Sequence, residues 1–253
     1  MYLLRNRMYR IAIPSLNRAP YQHTIKMLLE NGFDKDQIDL FVASPEQAEL
    51  YRTENPGINV VIGKLGMKEI RMFITDYYGE GKKVVMFDDD IKAVRMKNPR
   101  GWEESCYADD ELDLKKEIDL AFQECERSGR HMWGVYPVEN HFFMKNEITY
   151  DYKFACGGMF GLIIKKELCQ LHIDQYEDYE RCVRHYLSDG GIVRLNYLCL
   201  KTPKMGSNEG GMPSLEDRDM TGDLKKLVEM FPGLVQTKFK KSFGLNPVLK
   251  DLR

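Results

Sequence analysis

Four short apolar runs, "MYRIAIP", "QIDLFVA", "INVVIG" and "KKVVMF", punctuate residues 8–87 and are separated by longer stretches of mixed polarity. Each run has the length and β-branched content of a buried strand. The intervening stretches carry helix signals. Residues 16–32 predict a helix with Asn17 as its cap, Pro20 in the first turn and Gly32 at the stop. Residues 44–54 predict a helix opened by Ser44 and Pro45. Residues 67–81 predict a third, with Ile70, Phe73, Ile74 and Tyr77 on one face. The alternation β-α-β-α-β-α-β implies an α/β fold: a Rossmann-like, mostly parallel sheet with helices on both faces. Ligands of such sheets bind beyond the carboxyl ends of the strands. Pro14 and Ser15, the loop 62–66 and the aspartates 88–90 all fall at those ends.

Beyond residue 90 the period changes. "IKAVRM" predicts a short strand, residues 97–108 a polar loop with Trp102, and residues 109–128 a helix. "HMWGVYPV" predicts a strand, residues 139–153 an aromatic and polar loop, and "KFACGGMFGLIIKK" a strand interrupted by glycines. Residues 174–191 predict a helix and 191–202 a last strand. With no repeat, low-complexity tract or linker, the expectation is a single domain over 1–253, divided into halves 1–96 and 97–253.

Composition narrows the class. Hydrophobic residues make up 43% and charged residues 30%, and 37 basic against 39 acidic side chains leave a net charge of −2. That excludes a global basic field drawing the chain to nucleic acid or membrane. Local asymmetry remains: residues 103–119 hold eight acids and two lysines, and residues 238–253 hold five basic residues and one acid. A basic end of this kind is a solvated tail or a phosphate contact. None of the six cysteines is in C-x-x-C spacing, which argues against zinc. "MYLLRNRMYR" lacks the apolar core of a secretory signal, and "FACGGMFGLII" is too short and glycine-rich to span a bilayer. The expectation is a soluble protein of a reducing, cytoplasmic compartment with no membrane partner.

The chemistry gathers in a few places. "FDDDI" puts three carboxylates at the end of a predicted buried strand, where like charges repel. A bare acidic turn in water and a divalent-cation site are both compatible with that triplet. In an extended segment Asp88 and Asp90 point to one side and Asp89 to the other. A Mg²⁺ or Mn²⁺ that bridges a diphosphate needs only one or two protein carboxylates, so Asp88 and Asp90 are candidate metal ligands. Glu177 and Asp178 open the helix over 174–191. Acids there favour the helix dipole, and a carboxylate returned to the cleft can also serve as general base. Gly157, Gly158 and Gly161 mark a bulge or the close approach of a ligand. Lys64 and Arg71 flank the loop after the third strand and could lend charge to a phosphate, although the spacing is not a Walker loop. The loop "TPKMGSNEGGM" offers Lys201 and Lys204 as a lid or a plain surface loop. His23 and His185 have no metal-ligand spacing, and no nucleophile triad is proposed.

"IAIPSLNRA", "FDDDI" and "YEDYERCVRHYLSDGGIVRLN" together resemble a nucleotide-sugar glycosyltransferase of the GT-A fold, over nearly the whole chain. "FVASPEQAELY", "GKLGMKEIR" and "NEGGM" are most similar to the TET-associated glycosyltransferases, phage and other viral enzymes related to a C-terminal domain of GREB-type nuclear proteins. The resemblance implies transfer of a sugar from a uridine-diphosphate-linked donor to a hydroxymethylated pyrimidine in DNA, with inversion. It implies that residues 1–96 bind the nucleotide sugar and 97–253 hold the acceptor and catalytic groups, in a host cell's cytoplasm if the source is viral. Pro14, Ser15 and Arg18 would line the nucleotide pocket, with Lys64, Arg71 and Asp89 beside the donor. Asp88 and Asp90 would hold Mn²⁺ or Mg²⁺ and the sugar nucleotide. Gly157 and Gly158 would lie near the sugar, and Asp178, ahead of Glu177, would be the base. Many members add a late histidine ligand. None follows His185 here, which leaves the third ligand open and Lys204 as a diphosphate partner.

For the acceptor, His141, Phe142 and Phe143 either stack on a base or pack their loop onto the core. Arg5, Arg7 and Arg10 at one end and Lys238, Lys240 and Lys241 at the other are the candidate phosphate contacts. Two other readings stay open: a GT-A enzyme acting on a glycan, protein or small molecule, and a silent binding domain of the same fold. The intact acids disfavour the latter. A metal-dependent nucleotidyltransferase is a weaker fourth, because no basic nucleotide loop of that kind is present.

Overall fold

The computed structural model describes residues 9–101, 105–203, 220–240 and 244–250. The expected alternation is present. It runs β1 (Arg10–Pro14), α1 (His23–Glu30), β2 (Ile38–Val42), α2 (Pro45–Glu54), β3 (Asn59–Ile62), α3 (Met67–Tyr78) and β4 (Lys83–Phe87). Then follow β5 (Ala93–Met96), α4 (Leu114–Ser128), β6 (Met132–Tyr136), β7 (Ile148–Thr149), β8 (Met159–Ile163), α5 (Glu177–Asp189) and β9 (Val193–Lys201). The chain closes with α6 (Met220–Met230) and a hairpin of β10 (Val235–Lys240) and β11 (Gly244–Leu249).

One nine-stranded sheet has the order β3-β2-β1-β4-β8-β6-β9-β5, with β7 paired on β9. The first half, β3-β2-β1-β4, is wholly parallel. The second half is mixed: β8 is antiparallel to β4 and β6, and β9 is parallel to β6 but antiparallel to β5. Two reversals bring β6 back to the direction of β4, so both strands end on the same sheet edge. Helices cover both faces, as strands buried on both sides require. Ile11, Ile13, Leu40 and Val85 pack with Leu28 of α1, Tyr51 of α2 and Phe122 of α4. The alternate residues Ala12, Phe41, Val84 and Met86 pack with Ile70 and Ile74 of α3 and Cys182 of α5.

Several expectations move by a few residues, each for a visible reason. α1 begins at His23 rather than at Asn17. Asn17 has φ +56°, a left-handed conformation outside any helix, and residues 15–22 instead fold over the end of β4. Ser44 caps α2 as expected, accepting the Gln47 amide at 3.3 Å. α4 starts at Leu114 behind the cap Asp113, after a single tight turn at Asp109–Glu111. The glycine-broken strand begins only at Met159, so Gly157 and Gly158 precede it. Gly161 lies inside β8 because a Cβ there would sit 2.0 Å from Trp133 Nε1. The described part of the basic C-terminal region is paired in the β10–β11 hairpin, with Leu249 packed beside the buried Val235, Leu227, Phe231 and Val183. Among the described residues no helix is long and apolar enough to cross a membrane.

Candidate active site

The aspartate loop is built from both sides of the β4 end. Phe87 is fully buried, and the chain turns immediately after it. Thr24 of α1 fastens this turn: its hydroxyl donates to the Asp88 carbonyl and accepts the Ile91 amide at 2.9 Å, and its own amide donates to the Asp89 carbonyl at 3.2 Å. The Asp88 amide donates to the Gly158 carbonyl at 2.9 Å.

The turn separates the three carboxylates differently from an extended strand. Asp89 and Asp90 both meet Arg18, whose Nη1 is 2.6 Å from Asp89 Oδ1 and 3.3 Å from Asp90 Oδ2. Asp89 also accepts the Ser15 hydroxyl, which touches Tyr51 Oη at 2.7 Å and Gln22 Nε2 at 2.9 Å. Asp88 goes to Arg71 of α3, at 2.6 Å. The expected pairing of Asp88 with Asp90 against Asp89 is therefore replaced by a turn in which the guanidinium of Arg18 gathers the last two. Burial pushes the Asp89 carboxyl up to about 6 despite Ser15 and Arg18. Burial also raises Asp88, and Asp90 adds to the rise, so the two carboxylates are close enough to repel.

Arg71 ties this loop to α5. The same Nη2 that holds Asp88 donates to the Gly157 carbonyl at 3.1 Å, and Nε lies 3.7 Å from Glu177 Oε1. Glu177 also contacts Arg181, one helical turn on. Both arginines are 3% exposed and both lie over the Phe160 ring, Arg181 at 3.7 Å and Arg71 at 5.3 Å from its centroid. Burial and the neighbouring Arg71 lower Arg181 to about 9. Glu177 is thus the counter-ion between two buried guanidiniums, and its carboxylate is committed there. Gly157 is small for this reason, since a Cβ would lie 3.3 Å from Glu177 Oε1 and 3.6 Å from Arg71 Nη2.

Asp178 stands apart from that network. Its carboxylate accepts the Gly157 amide at 3.3 Å and the Tyr179 amide at 3.0 Å. Burial, with the charge of Asp88 adding to it, pushes Asp178 up to about 6. A buried carboxylate raised to about 6, with a second carboxylate near it, has the properties of a general base.

Oxygen ligands and mutual repulsion suit a hard divalent cation at Asp88 and Asp90. Asp88 uses Oδ1 for Arg71 and presents Oδ2 toward Gly158. Among the described residues no group of three or more His, Cys, Asp and Glu is placed to hold a metal. A cation here would therefore complete its shell with phosphate and water oxygens, as Mg²⁺ and Mn²⁺ do on nucleotides.

The other expected residues divide. Pro14 ends β1 beside the loop, and Lys64 is exposed after β3. Lys204 and Lys241 lie outside the described residues, as do Trp102, Arg5 and Arg7, and of Lys240 only the backbone, at the end of β10, is described. Arg10, at the start of β1, pairs with Asp39 at 2.6 Å. His141 approaches Cys106 Sγ at 3.3 Å, while Phe142 and Phe143 are 67% and 66% exposed. The rings of Phe142 and Phe143 do not pack the loop down; the buried Met144 does that. This loop follows β6 and so leaves the sheet on the edge that carries the aspartates. His185 is buried and bonded to the Arg181 carbonyl at 2.9 Å, a structural histidine. Tyr51, Gln22, Thr24 and Arg181 belong to the site without having been expected there. For Arg181 the signal was present: it falls four residues after Glu177 on one helix face.

No protein-family model and no curated protein matches the chain. Solved structures do. Glucosyl-3-phosphoglycerate synthase from Mycobacterium tuberculosis in complex with phosphoglyceric acid superposes with a TM-score of 0.54 at 12% identity, covering 97% of this chain and 87% of that one. The same synthase with Mn²⁺, uridine-diphosphate-glucose and phosphoglyceric acid gives 0.51 at 11% identity, covering 98% and 89%. A structure described only as a mycobacterial protein gives 0.52 at 12% identity, covering 97% and 84%. At such identities the likeness shows the fold, that of the GT-A-like nucleotide-sugar transferases.

Proposed function

We propose that this chain is a metal-dependent glycosyltransferase that moves a sugar from a nucleoside diphosphate donor, with uridine the expected base, to an acceptor hydroxyl. The observation that carries the reading is that the aspartate loop at the end of β4 and Asp178 at the start of α5 are brought together through Gly157 and Arg71. The synthase neighbour, crystallised with Mn²⁺ and a uridine diphosphate sugar, supports it by fold.

Each residue has a task in that reaction. Asp88 and Asp90 would hold the cation, which when bound would neutralise charge on the departing diphosphate. Arg71 fixes the Asp88 carboxylate, and its charge opposes the rise that burial causes there. Ser15, Tyr51 and Arg18 fix Asp89 and so the shape of the loop. Asp178, ionised, takes the proton of the acceptor hydroxyl as that oxygen bonds to the anomeric carbon and the bond to the diphosphate breaks. Direct displacement of this kind inverts the anomeric centre.

The finer reading of the acceptor, a hydroxymethylated pyrimidine in DNA, rests on the sequence resemblance. The exposed Phe142 and Phe143 support it, as rings on which a base could stack. A base in duplex would have to leave the stack for its hydroxymethyl group to reach Asp178. The deciding experiment incubates the protein with Mn²⁺ and a panel of sugar nucleotides, with and without hydroxymethylated DNA, and seeks the sugar by mass spectrometry. Sugar on the DNA, greatest with a uridine diphosphate donor, is the expected result. Label on a glycan, a protein or a small acid such as phosphoglyceric acid, with none on DNA, overturns the acceptor. Loss of no donor under any condition overturns the transferase.

A further inference from the structure

Four successive amides lead into α5, and two carboxylates take all of them. The amides of His172 and Ile173 donate to Glu180 Oε2 at 2.8 and 3.3 Å. The amides of Asp174 and Gln175 donate to Asp223 Oδ2 at 3.1 and 2.7 Å. Glu180 belongs to α5 itself and is fully buried, whereas Asp223 comes from α6, 48 residues along the chain from Gln175. The Asp174 side chain then accepts the Lys68 amide at 3.1 Å, giving α3 the side-chain cap that Gly66 lacks. The next residue, Tyr176, has φ +62° and ψ +24°, a left-handed conformation that a tyrosine holds only when its surroundings impose it. Glu177 and Asp178 follow directly.

We infer that Asp223 is a positioning residue for Asp178: α6, through one carboxylate, holds the left-handed turn that aims the candidate base at Gly157, beside the aspartate loop. The inference rests on the function proposed above. Without Asp223 two amides lose their acceptor, Tyr176 is released toward an ordinary backbone conformation, and Asp178 rotates away from Gly157. Donor binding, which involves the β4 end, is untouched. The conservative Asp223→Asn keeps an oxygen acceptor for both amides.

The test compares wild type, Asp223→Ala, Asp223→Asn and the exposed control Lys225→Ala for turnover, donor affinity by calorimetry, and amide hydrogen exchange of residues 172–178. Asp223→Ala should lower kcat at least 10-fold with donor affinity unchanged and should lose protection at 174–176. Asp223→Asn should recover most of both, and Lys225→Ala should match wild type. Wild-type kcat in Asp223→Ala, or equal loss in Asp223→Asn and Asp223→Ala, overturns the inference. Unchanged exchange at 174–176 also overturns it, and that readout needs no activity. If wild type transfers nothing, the proposed function fails, and the exchange result still decides whether the clamp exists.

Discussion

The Gly157 amide donates to Asp178 Oδ2 at 3.3 Å, while the Gly157 carbonyl accepts Arg71 Nη2 at 3.1 Å. One peptide neighbourhood thus joins the candidate base to the arginine that holds the first aspartate of the loop. The adjacent acids of α5 consequently have different fates, since Glu177 lies between Arg71 and Arg181.

Replacing the two neighbours should separate stability from chemistry. Asp178→Asn should cut turnover by about 10²–10⁴-fold, the range expected for loss of a general base, with little change in melting temperature. Glu177→Ala leaves two buried guanidiniums without their shared counter-ion, and breaking a buried pair in this way costs about 3–5 kcal/mol. Denaturant titration of both variants checks the division. A Glu177→Ala protein as stable as wild type would remove Glu177 from the structural role assigned to it.

The acid limb of the activity profile should report Asp178. Its carboxyl is pushed up to about 6, first by burial and then by Asp88, and it must be ionised to accept a proton. Activity should therefore fall as pH drops below about 6 and level off above it. The residual activity of Asp178→Asn should show no such limb. A profile flat from pH 5 to 8 in wild type contradicts the assignment.

Asp90→Ala should abolish metal-dependent donor binding without unfolding the protein. Its carboxylate is a partly exposed partner of Arg18 at 3.3 Å, and Arg18 retains Asp89 at 2.6 Å, so the loop keeps its anchor. Calorimetric titration with a uridine diphosphate sugar and Mn²⁺ measures the loss. Asp88→Ala should in addition destabilise, by about 1–3 kcal/mol, because buried Arg71 loses the shorter of its two carboxylate contacts. Undiminished Mn²⁺-dependent binding in Asp90→Ala would refute the ligand role.

Gly161→Ala probes the sheet rather than the cleft. The added methyl would meet the Trp133 ring at 2.0–2.7 Å, and Trp133 is packed edge-on against Phe122. Overpacking of this kind costs about 1–3 kcal/mol. Thermal denaturation should show a clear loss, and an unaltered melting temperature would mean that β6 and β8 can part more easily than their packing suggests.

What the chain states locally, it stated legibly. Short apolar runs located β1 to β4, helix-end signals and a 3.6-residue face located the helices between them, Ser44 marked its helix start, and the triple aspartate stood where a strand must end. These signals depend on neighbours within a turn or a strand. The contacts that divide the acids depend on residues far apart: Arg71 with Asp88, Gly157 and Glu177, Ser15 with Tyr51 and Asp89, Asp223 with Gln175. No periodicity records which buried cation a carboxylate will meet, because that partner arrives only when the sheet closes. The start of α1 moved for the same reason, since residues 15–22 are drawn onto the aspartate loop, and the basic C-terminal region became a packed hairpin because α5 and α6 leave Val183 and Leu227 for it to cover. The sequence by itself determined the elements from β1 to β6 and the place of the acids; tertiary packing decided the partners of those acids and added β7, α6 and the closing hairpin.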